Sequence, residues 1–559
     1  MNWRLSPIAY DGTRTPLKTA LFLVLCLAWV LPGLVGHDPW GTDEAIIFGA
    51  VREILRGGDW LAFHITGEPM AGRAPLFIWT AALLTKAFGG MLAPHDAARL
   101  ATGFFMTLTL GGVTLASYEL MGERALRMSV VLFVGCLGLL IRAHEMSTDV
   151  AGLTGLTLSI MGLAWALRRP LVGGVATGLG LGIAFLGDGL LPLSMGLATL
   201  AALPAAAAAW RTREHALTCA IALACAAPLV AAWPLALAAH DPAFLAAWWA
   251  QASASRWASG MSDGIGGLTY FLRQLPWYAW PAWPLAAWTL YRARRTLPEQ
   301  RGLMLPTVAF CAYFVVLSGF GEARDVNLMP LLVPLSLLGV AEIESLPRGA
   351  ASALDWFGMT TFLLLAALLW VCWMAAMTGA PHVAHAWLQR EVPGFAYRFN
   401  FIAFALAALL TLIWMVVVAR SLRSTRRALV NWSSGIAMVW MLVMTLGVPL
   451  VDQARSYRSL TARVAEALPR APGCVAQRNV GDAQRALFDY FANLRLERLG
   501  TPAADSCRTL LVQGVPGRLS DPGPEWTPLW QGARPGDSKE VFGLYVRAAD
   551  SRSSTSSTQ

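Results

Sequence analysis

The chain reads as a polytopic α-helical membrane protein with a small α/β domain at its C-terminal end, and three observations predict this. Hydrophobic residues make up 56% of its 559 positions and charged residues only 14%, a balance outside the range of soluble globular chains. Apolar runs of about the length needed to cross a bilayer recur along most of the sequence. Beyond residue 451 the composition turns polar, with only short apolar stretches.

The net charge of +9 does not call for a nucleic acid. Most arginines stand in small groups between apolar runs, as basic loops do when they stay cytoplasmic. The first apolar run, near 16–36, is too long for a signal-peptide core and has no clear cleavage site, so it is read as a span. Further runs fall near 75–91, 98–118, 127–142, 150–167, 172–187, 190–210, 216–239, 274–291, 303–319, 327–346, 354–378, 399–419 and 429–451.

The arginines decide which runs cross. With Arg4, Arg14 and Lys18 inside and all fourteen runs crossing, Arg124, Arg127 and most later basic groups would fall outside, against the positive-inside rule. If 75–91 instead lies in the interface, behind an amphipathic helix at about 43–56, one reassignment repairs every loop. Arg124/Arg127, Arg168/Arg169, Arg211/Arg213, Arg292/Arg294/Arg295, Arg348 and Arg420/Arg423/Arg426/Arg427 then all lie inside, and about thirteen spans remain. Asp43, Glu44, Arg73, Asp149, Asp188, the loop 240–273 and Arg324 collect on the other face.

Residues 1–451 thus form the membrane part. Residues 452–549 are read as a small α/β domain on the outer side, from short apolar runs at 474–477, 509–512 and 541–546 and a helical pattern at 481–494. A Ser/Thr-rich tail, 550–559, is expected to be disordered. Six of the eight cysteines sit in apolar runs; Cys474 and Cys507 alone lie in the polar region and should pair if it faces an oxidising compartment.

A carboxylate pair at the rim of a span is costly to keep, which singles out Asp43 and Glu44 in Trp40-Gly41-Thr42-Asp43-Glu44. Both positions also suit the first turn of a helix. Asp149 opens the run at 150–167 and carries the same two readings. Arg73, just before the interfacial segment, either snorkels to headgroups or grips a lipid phosphate through its forked donors. Arg324 lies outside against the topology rule, so it needs a phosphate or carboxylate partner, Asp325 and Glu322 among them. In the loop 240–273, Trp248, Trp249, Arg256, Trp257 and Tyr270 are belt residues or the lining of a sugar or prenyl groove. His64 and His144 show no metal-ligand spacing, so no metal is expected. No P-loop and no glycine-rich dinucleotide motif occurs, so no cofactor is expected.

The order of these features resembles the GT-C glycosyltransferases of the protein O-mannosyltransferase and aminoarabinose (lipid A) transferase superfamily. It runs from one span and Thr42-Asp43-Glu44 through Gly67-Glu68-Pro69-Met70-Ala71-Gly72-Arg73-Ala74-Pro75 and Ala98-Arg99-Leu100 to Asp149, Pro276-Trp277-Tyr278, Asn327-Leu328-Met329-Pro330 and Pro334. Two departures stand out: Arg73-Ala74-Pro75 replaces a Lys-Pro-Pro, and Asp188-Gly189 replaces a lysine before Gly-Pro.

The resemblance implies a sugar donor linked to polyprenyl phosphate and an envelope acceptor such as lipid A. It also implies transfer at the periplasmic face of a bacterial inner membrane, with inversion. Asp43 would be the base, with Asp149 orienting substrate, Glu44 in support, and Arg73 and Arg324 holding the donor phosphate. The alternative is a transporter or flippase of a lipid-linked sugar, which would place ionisable groups near span midpoints and show internal repeats. A non-catalytic assembly factor is a third reading, kept open by Asp188 and Asn327.

Overall fold

The computed structural model describes residues 16–255, 264–420, 424–469 and 473–547. Arg4, Arg14, Arg256, Trp257, Arg423 and the expected tail 550–559 lie outside these residues. Among the described residues, eight helices are long and apolar enough to cross a membrane. They include α4 (Pro94–Met121), α7 (Thr148–Ala166), α8 (Pro170–Asp188), α10 (Arg213–His240) and the helices Arg301–Phe320, Arg348–Thr378 and Phe401–Arg420.

The other expected spans are shorter: α1 (Pro16–Val30), α5 (Glu123–Val134), α9 (Leu190–Ala206), Ala282–Ala293 and Met329–Ala341. The run 127–142 shows why length alone misleads. Its helix stops at Gly135 and resumes as the single turn α6 (Leu139–Arg142). In the gap, the amide of Leu137 donates to the Trp280 carbonyl at 3.1 Å and that of Gly138 to the Tyr278 carbonyl at 2.9 Å. The segment after Pro276-Trp277-Tyr278 therefore takes up backbone groups that a continuous helix would have satisfied internally.

The interfacial helices expected at about 43–56 and 75–91 are α2 (Thr42–Leu55) and α3 (Pro75–Phe88). α2 is buried rather than laid on a surface: Ile47, Phe48, Ala50, Val51 and Ile54 belong to the core of the helical part. Ala45 belongs to a different core, that of the C-terminal sheet.

A two-stranded hairpin, β1 (His64–Ile65) and β2 (Glu68–Pro69), follows α2, and the C-terminal sheet has five strands, β3 (Val475–Arg478), β4 (Leu496–Arg498), β5 (Thr509–Gly514), β6 (Trp526–Gly532) and β7 (Val541–Arg547), in the order β4-β3-β5-β7-β6. β3 runs parallel to β4 and β5, and β7 antiparallel to β5 and β6. The helix Asp482–Ala492 makes the crossover from β3 to β4, as parallel pairing requires. Cys474 and Cys507 are joined in a disulfide beside β3 and β5.

The sheet unit docks on α2 through this crossover helix. Arg52 Nε lies 2.9 Å and Arg56 Nη1 2.7 Å from one oxygen of Asp489. His95 on α4 shares a 2.8 Å hydrogen bond with the Tyr490 hydroxyl. The helices approach so closely at Gly49 that an added Cβ would sit 2.8 Å from Ala486 Cβ. Gly49→Val should force them apart and destabilise the docked state by about 1–3 kcal/mol. The check is the thermal midpoint of the full chain by tryptophan fluorescence, and an unchanged midpoint would mean that this contact does not hold the two parts together.

Candidate active site

Asp43 and Glu44 are consecutive residues in the first turn of α2, so their side chains leave the axis about 100° apart. The chain uses that divergence to give them separate tasks. Gly41 caps the helix and no side chain bonds the open amides, so Asp43 is not a capping residue.

Glu44 turns inward and is buried, at 1% exposure. Its carboxylate accepts from Arg99 Nε at 2.6 Å and from the Trp40 amide at 2.9 Å. Arg99, on α4, is 0% exposed and also donates to Asp96 at 2.9 Å and to the carbonyls of Leu34 and His37. Glu44 is not among the residues that line the cavity beside Asp43, and its contact with Arg99 anchors α2. Burial pushes its carboxyl up, but Arg99 and then His37 outweigh burial and hold it below the usual range.

Asp43 turns the other way. Each of its oxygens takes one guanidinium: Oδ1 accepts from Arg73 Nη2 and Oδ2 from Arg324 Nη2. Three candidates from distant stretches of sequence therefore meet in one cluster. Burial raises the Asp43 carboxyl, and the two arginines together more than reverse it, so the group stays ionised. Arg324 is held charged by Asp43, Asp149 and Glu322 against the opposing effect of burial. Neither Asp325 nor Glu322 is its ion-pair partner; Asp325 is committed to Arg142, whose Nη2 and Nε reach it at 3.1 and 3.2 Å.

A cavity of about 360 Å³ opens at this cluster, lined by Asp43, Arg142, Glu145, Tyr270, Arg324 and Asp325 among others. Arg142 also donates to Glu145 at 2.9 Å. Glu145 has a raised pKa: burial, with the carboxylates of Glu44 and Asp43 nearby, outweighs Arg142. The cavity therefore holds one carboxyl below the ordinary range and one above it. In the stretch expected as the loop 240–273, Tyr270 stands on the helix Gly264–Tyr278, and Trp248 and Trp249 end the helix Pro242–Trp249, the first buried and the second exposed.

Asp149 lies one step away, in the first turn of α7. Ser147 caps that helix by accepting the Asp149 amide at 3.2 Å, and its hydroxyl donates back to the Asp149 carboxylate. Asp149 lines a small adjoining cleft with Asp188 and Asn327. Thr148 bridges the two places: it accepts from Arg73 Nη1 at 3.4 Å and donates to Asp188 at 3.3 Å.

Arg142 and Glu145 were not singled out from sequence, and Asp325 was named only as a candidate partner of Arg324. The Arg142 and Glu145 spacing of three residues on a short helical turn was a usable signal; the pairing with Asp325, 183 positions away, was not. Among the described residues no group of three or more His, Cys, Asp or Glu side chains is placed to hold a metal ion.

No protein-family model matches the chain. An undecaprenyl phosphate-alpha-4-amino-4-deoxy-L-arabinose arabinosyl transferase 2 of Pseudomonas fluorescens is 25% identical over 456 residues, covering 78% of this chain and 72% of that protein. The corresponding transferase of Pseudomonas savastanoi pv. phaseolicola is 25% identical over 367 residues, covering 63% of this chain and 66% of that one. Among solved structures, ArnT from Cupriavidus metallidurans bound to undecaprenyl phosphate superposes with a TM-score of 0.68 at 17% identity, covering 95% of this chain and 98% of that one. The chain has the fold of ArnT.

Two measurements test the division of labour in α2. Glu44→Ala should strand Arg99 in the core and cost about 3–5 kcal/mol, seen as a loss of folded protein and a lower unfolding midpoint. An unchanged midpoint would refute the anchoring role. Acid should act in the same direction, because Asp38, Asp43 and Glu44 all have lowered pKa values, with arginines outweighing burial in each case. A folded-state pKa below the unfolded value of about 4 gives stability that is full above that pH and is lost as pH falls through the folded value. Glu145 works in the opposite sense. The midpoint should fall below about pH 4, and removing Glu44 should shrink that fall.

Proposed function

We propose that this GT-C membrane protein is an inverting glycosyltransferase that moves aminoarabinose from undecaprenyl phosphate to a lipid A-type acceptor at the periplasmic face of a bacterial inner membrane. The observation that carries the proposal is the clamp of Asp43 between Arg73 and Arg324 at a cavity, in a chain with the fold of ArnT. Both transferases matched in sequence use, by their names, an undecaprenyl phosphate-linked aminoarabinose, and neither is a transporter. The charged groups cluster at helix ends rather than mid-span, which also favours transfer over transport.

In this reading the membrane part, 1–451, spans the bilayer about thirteen times, with α3 in the interface. Residues 452–549 form a periplasmic α/β domain, for which the Cys474 and Cys507 disulfide is supporting evidence.

The chemistry follows from the clamp. Arg73 and Arg324 neutralise Asp43 while no phosphate competes for them. A donor phosphate is a better partner for two forked guanidiniums, and it draws them from the carboxylate. Asp43 then regains basicity when the donor is in place. It takes the proton of the acceptor oxygen, or orients that oxygen where it is already ionised. The acceptor oxygen forms a bond to the anomeric carbon from the face opposite the leaving group. The bond from that carbon to the polyprenyl phosphate oxygen breaks, and the arginines stabilise the phosphate charge that develops. Asp149, next to Thr148 and Arg73, orients substrate. Glu44 takes no part beyond holding α2.

Reconstitution in liposomes with undecaprenyl phosphate-linked aminoarabinose and lipid A, read by mass spectrometry of the acceptor, tests the proposal. Asp43→Asn should lower the transfer rate by about 10²–10⁴-fold, and Arg324→Ala by about 10²-fold or more. Full transfer by Asp43→Asn would remove the base assignment, and movement of the donor across the bilayer without sugar transfer would favour the transporter.

A further inference from the structure

A second built cavity lies at the far end of the helices that frame the first. α7 begins with Thr148 and Asp149 beside the first cavity and ends at Ala166, about 28 Å away at 1.5 Å per residue. The helix Arg301–Phe320 runs between the same two ends, with Arg324 just beyond one of them and Arg301 at the other. At this far end a polar cavity of about 400 Å³ is lined by Arg168, Trp210, Thr212, Glu214, His215 and Arg301. A second, apolar hollow of about 560 Å³ adjoins it, lined by Leu197, Leu200, Pro204 and Leu223, with Arg211 at its edge.

Trp210, Thr212 and His215 line both hollows, so the two are continuous. Trp210 is 3% exposed and His215 8%. Trp210 Nε1 and His215 Nδ1 are buried there without a hydrogen-bond partner. A buried donor left unpaired is costly, and the Trp210 N–H marks a place where an acceptor completes the bonding, whereas His215 already donates from Nε2 to the Leu200 carbonyl and leaves Nδ1 a lone pair. The first turn of α10, a 28-residue helix, also borders the polar cavity, and its free amides favour an anion. Arg168, Arg211, Arg213 and Arg301 outnumber Glu119, which pairs with Arg168 at 2.9 Å, and Glu214.

We infer that this paired cavity binds an anionic glycerophospholipid, with the phosphate headgroup on Arg301 and Trp210 and an acyl chain in the apolar hollow. The charge selects an anion, and the adjoining apolar hollow selects one that carries a hydrocarbon chain. Basic pockets between membrane helices at the arginine-rich end bind acidic lipids in this way. The site is separate from the sugar-transfer cavity and does not depend on the assignment of that reaction.

Native mass spectrometry of the full-length protein, offered phosphatidylglycerol, phosphatidylcholine or soluble glycerol 3-phosphate, tests the inference. Phosphatidylglycerol should be retained about tenfold more than phosphatidylcholine, and glycerol 3-phosphate should not displace it. Trp210→Phe, which keeps the ring and removes the donor, and Arg301→Gln, at an exposed helix start, should each erase most of that preference. Arg348→Gln, outside both hollows, should leave it intact. Should Trp210→Phe fold poorly, Arg301→Gln alone still decides the matter. Equal retention of the two lipids, wild-type preference in Arg301→Gln, equal loss in Arg348→Gln, or displacement by glycerol 3-phosphate would each overturn the inference.

Discussion

The buried pair between Glu44 and Arg99 is the contact on which the candidate site depends. It ties the first turn of α2 to α4, and Arg99 reaches on to the carbonyls of Leu34 and His37 at the end of the first apolar segment. An isolated charge at this depth would be prohibitive, so neither partner can leave without the other. Once Glu44 is fixed inward, helical geometry leaves Asp43 one direction, into the cavity. The same helix carries Ala45 into the core of the C-terminal sheet. Orientation of the Asp43 carboxylate and docking of the sheet unit are thus set by three consecutive residues.

The electrostatics around Asp43 are those of a site waiting for an anion. Two guanidiniums on one carboxylate leave an excess of positive charge local to Arg73 and Arg324, whereas the single guanidinium of Arg142 is shared between two carboxyl groups, Glu145 and Asp325. Each arginine is held by a group that an incoming phosphate could replace. Such an arrangement keeps the arginines ordered before substrate arrives, which lowers the cost of organising them afterwards.

Asp43, Arg73, Asp149 and Arg324 stand out as candidates in the sequence for a common reason, and the structure brings Asp43, Arg73 and Arg324 together. Each is an ionisable residue next to an apolar run, on the face that topology should leave without positive charge. Periodicity and the arginine census located α2 and α3 to within a few residues, and the composition change located the sheet unit. The interior of α2 was less legible. An amphipathic helix at a membrane rim and a helix buried between two cores have similar patterns, and only the tertiary partner distinguishes them. The anchoring contact of Glu44 was hidden for that reason, since nothing near it in sequence shows that Arg99 lies opposite. Runs broken by glycine, such as 127–142, read as whole spans because the groups that satisfy the break come from beyond residue 276.

Membrane helices gain little from burying apolar surface against one another, so precision at the site must come from close packing. α7 and α8 meet that need through glycine. A Cβ at Gly155 would fall 2.2 Å from the Ala184 amide nitrogen, and one at Gly180 2.5 Å from that of Ser159. At such approach the two backbones have no room to slide, and the ends of the pair are set with respect to each other. Those ends carry Thr148 and Asp149 on one helix and Asp188 on the other, joined through the Thr148 hydroxyl, which in turn holds Arg73. The placement of the Arg73 guanidinium over Asp43 is therefore supported from two sides, by the ion pair itself and by a close-packed helix pair whose charged residues, Asp149 and Asp188, sit at these ends.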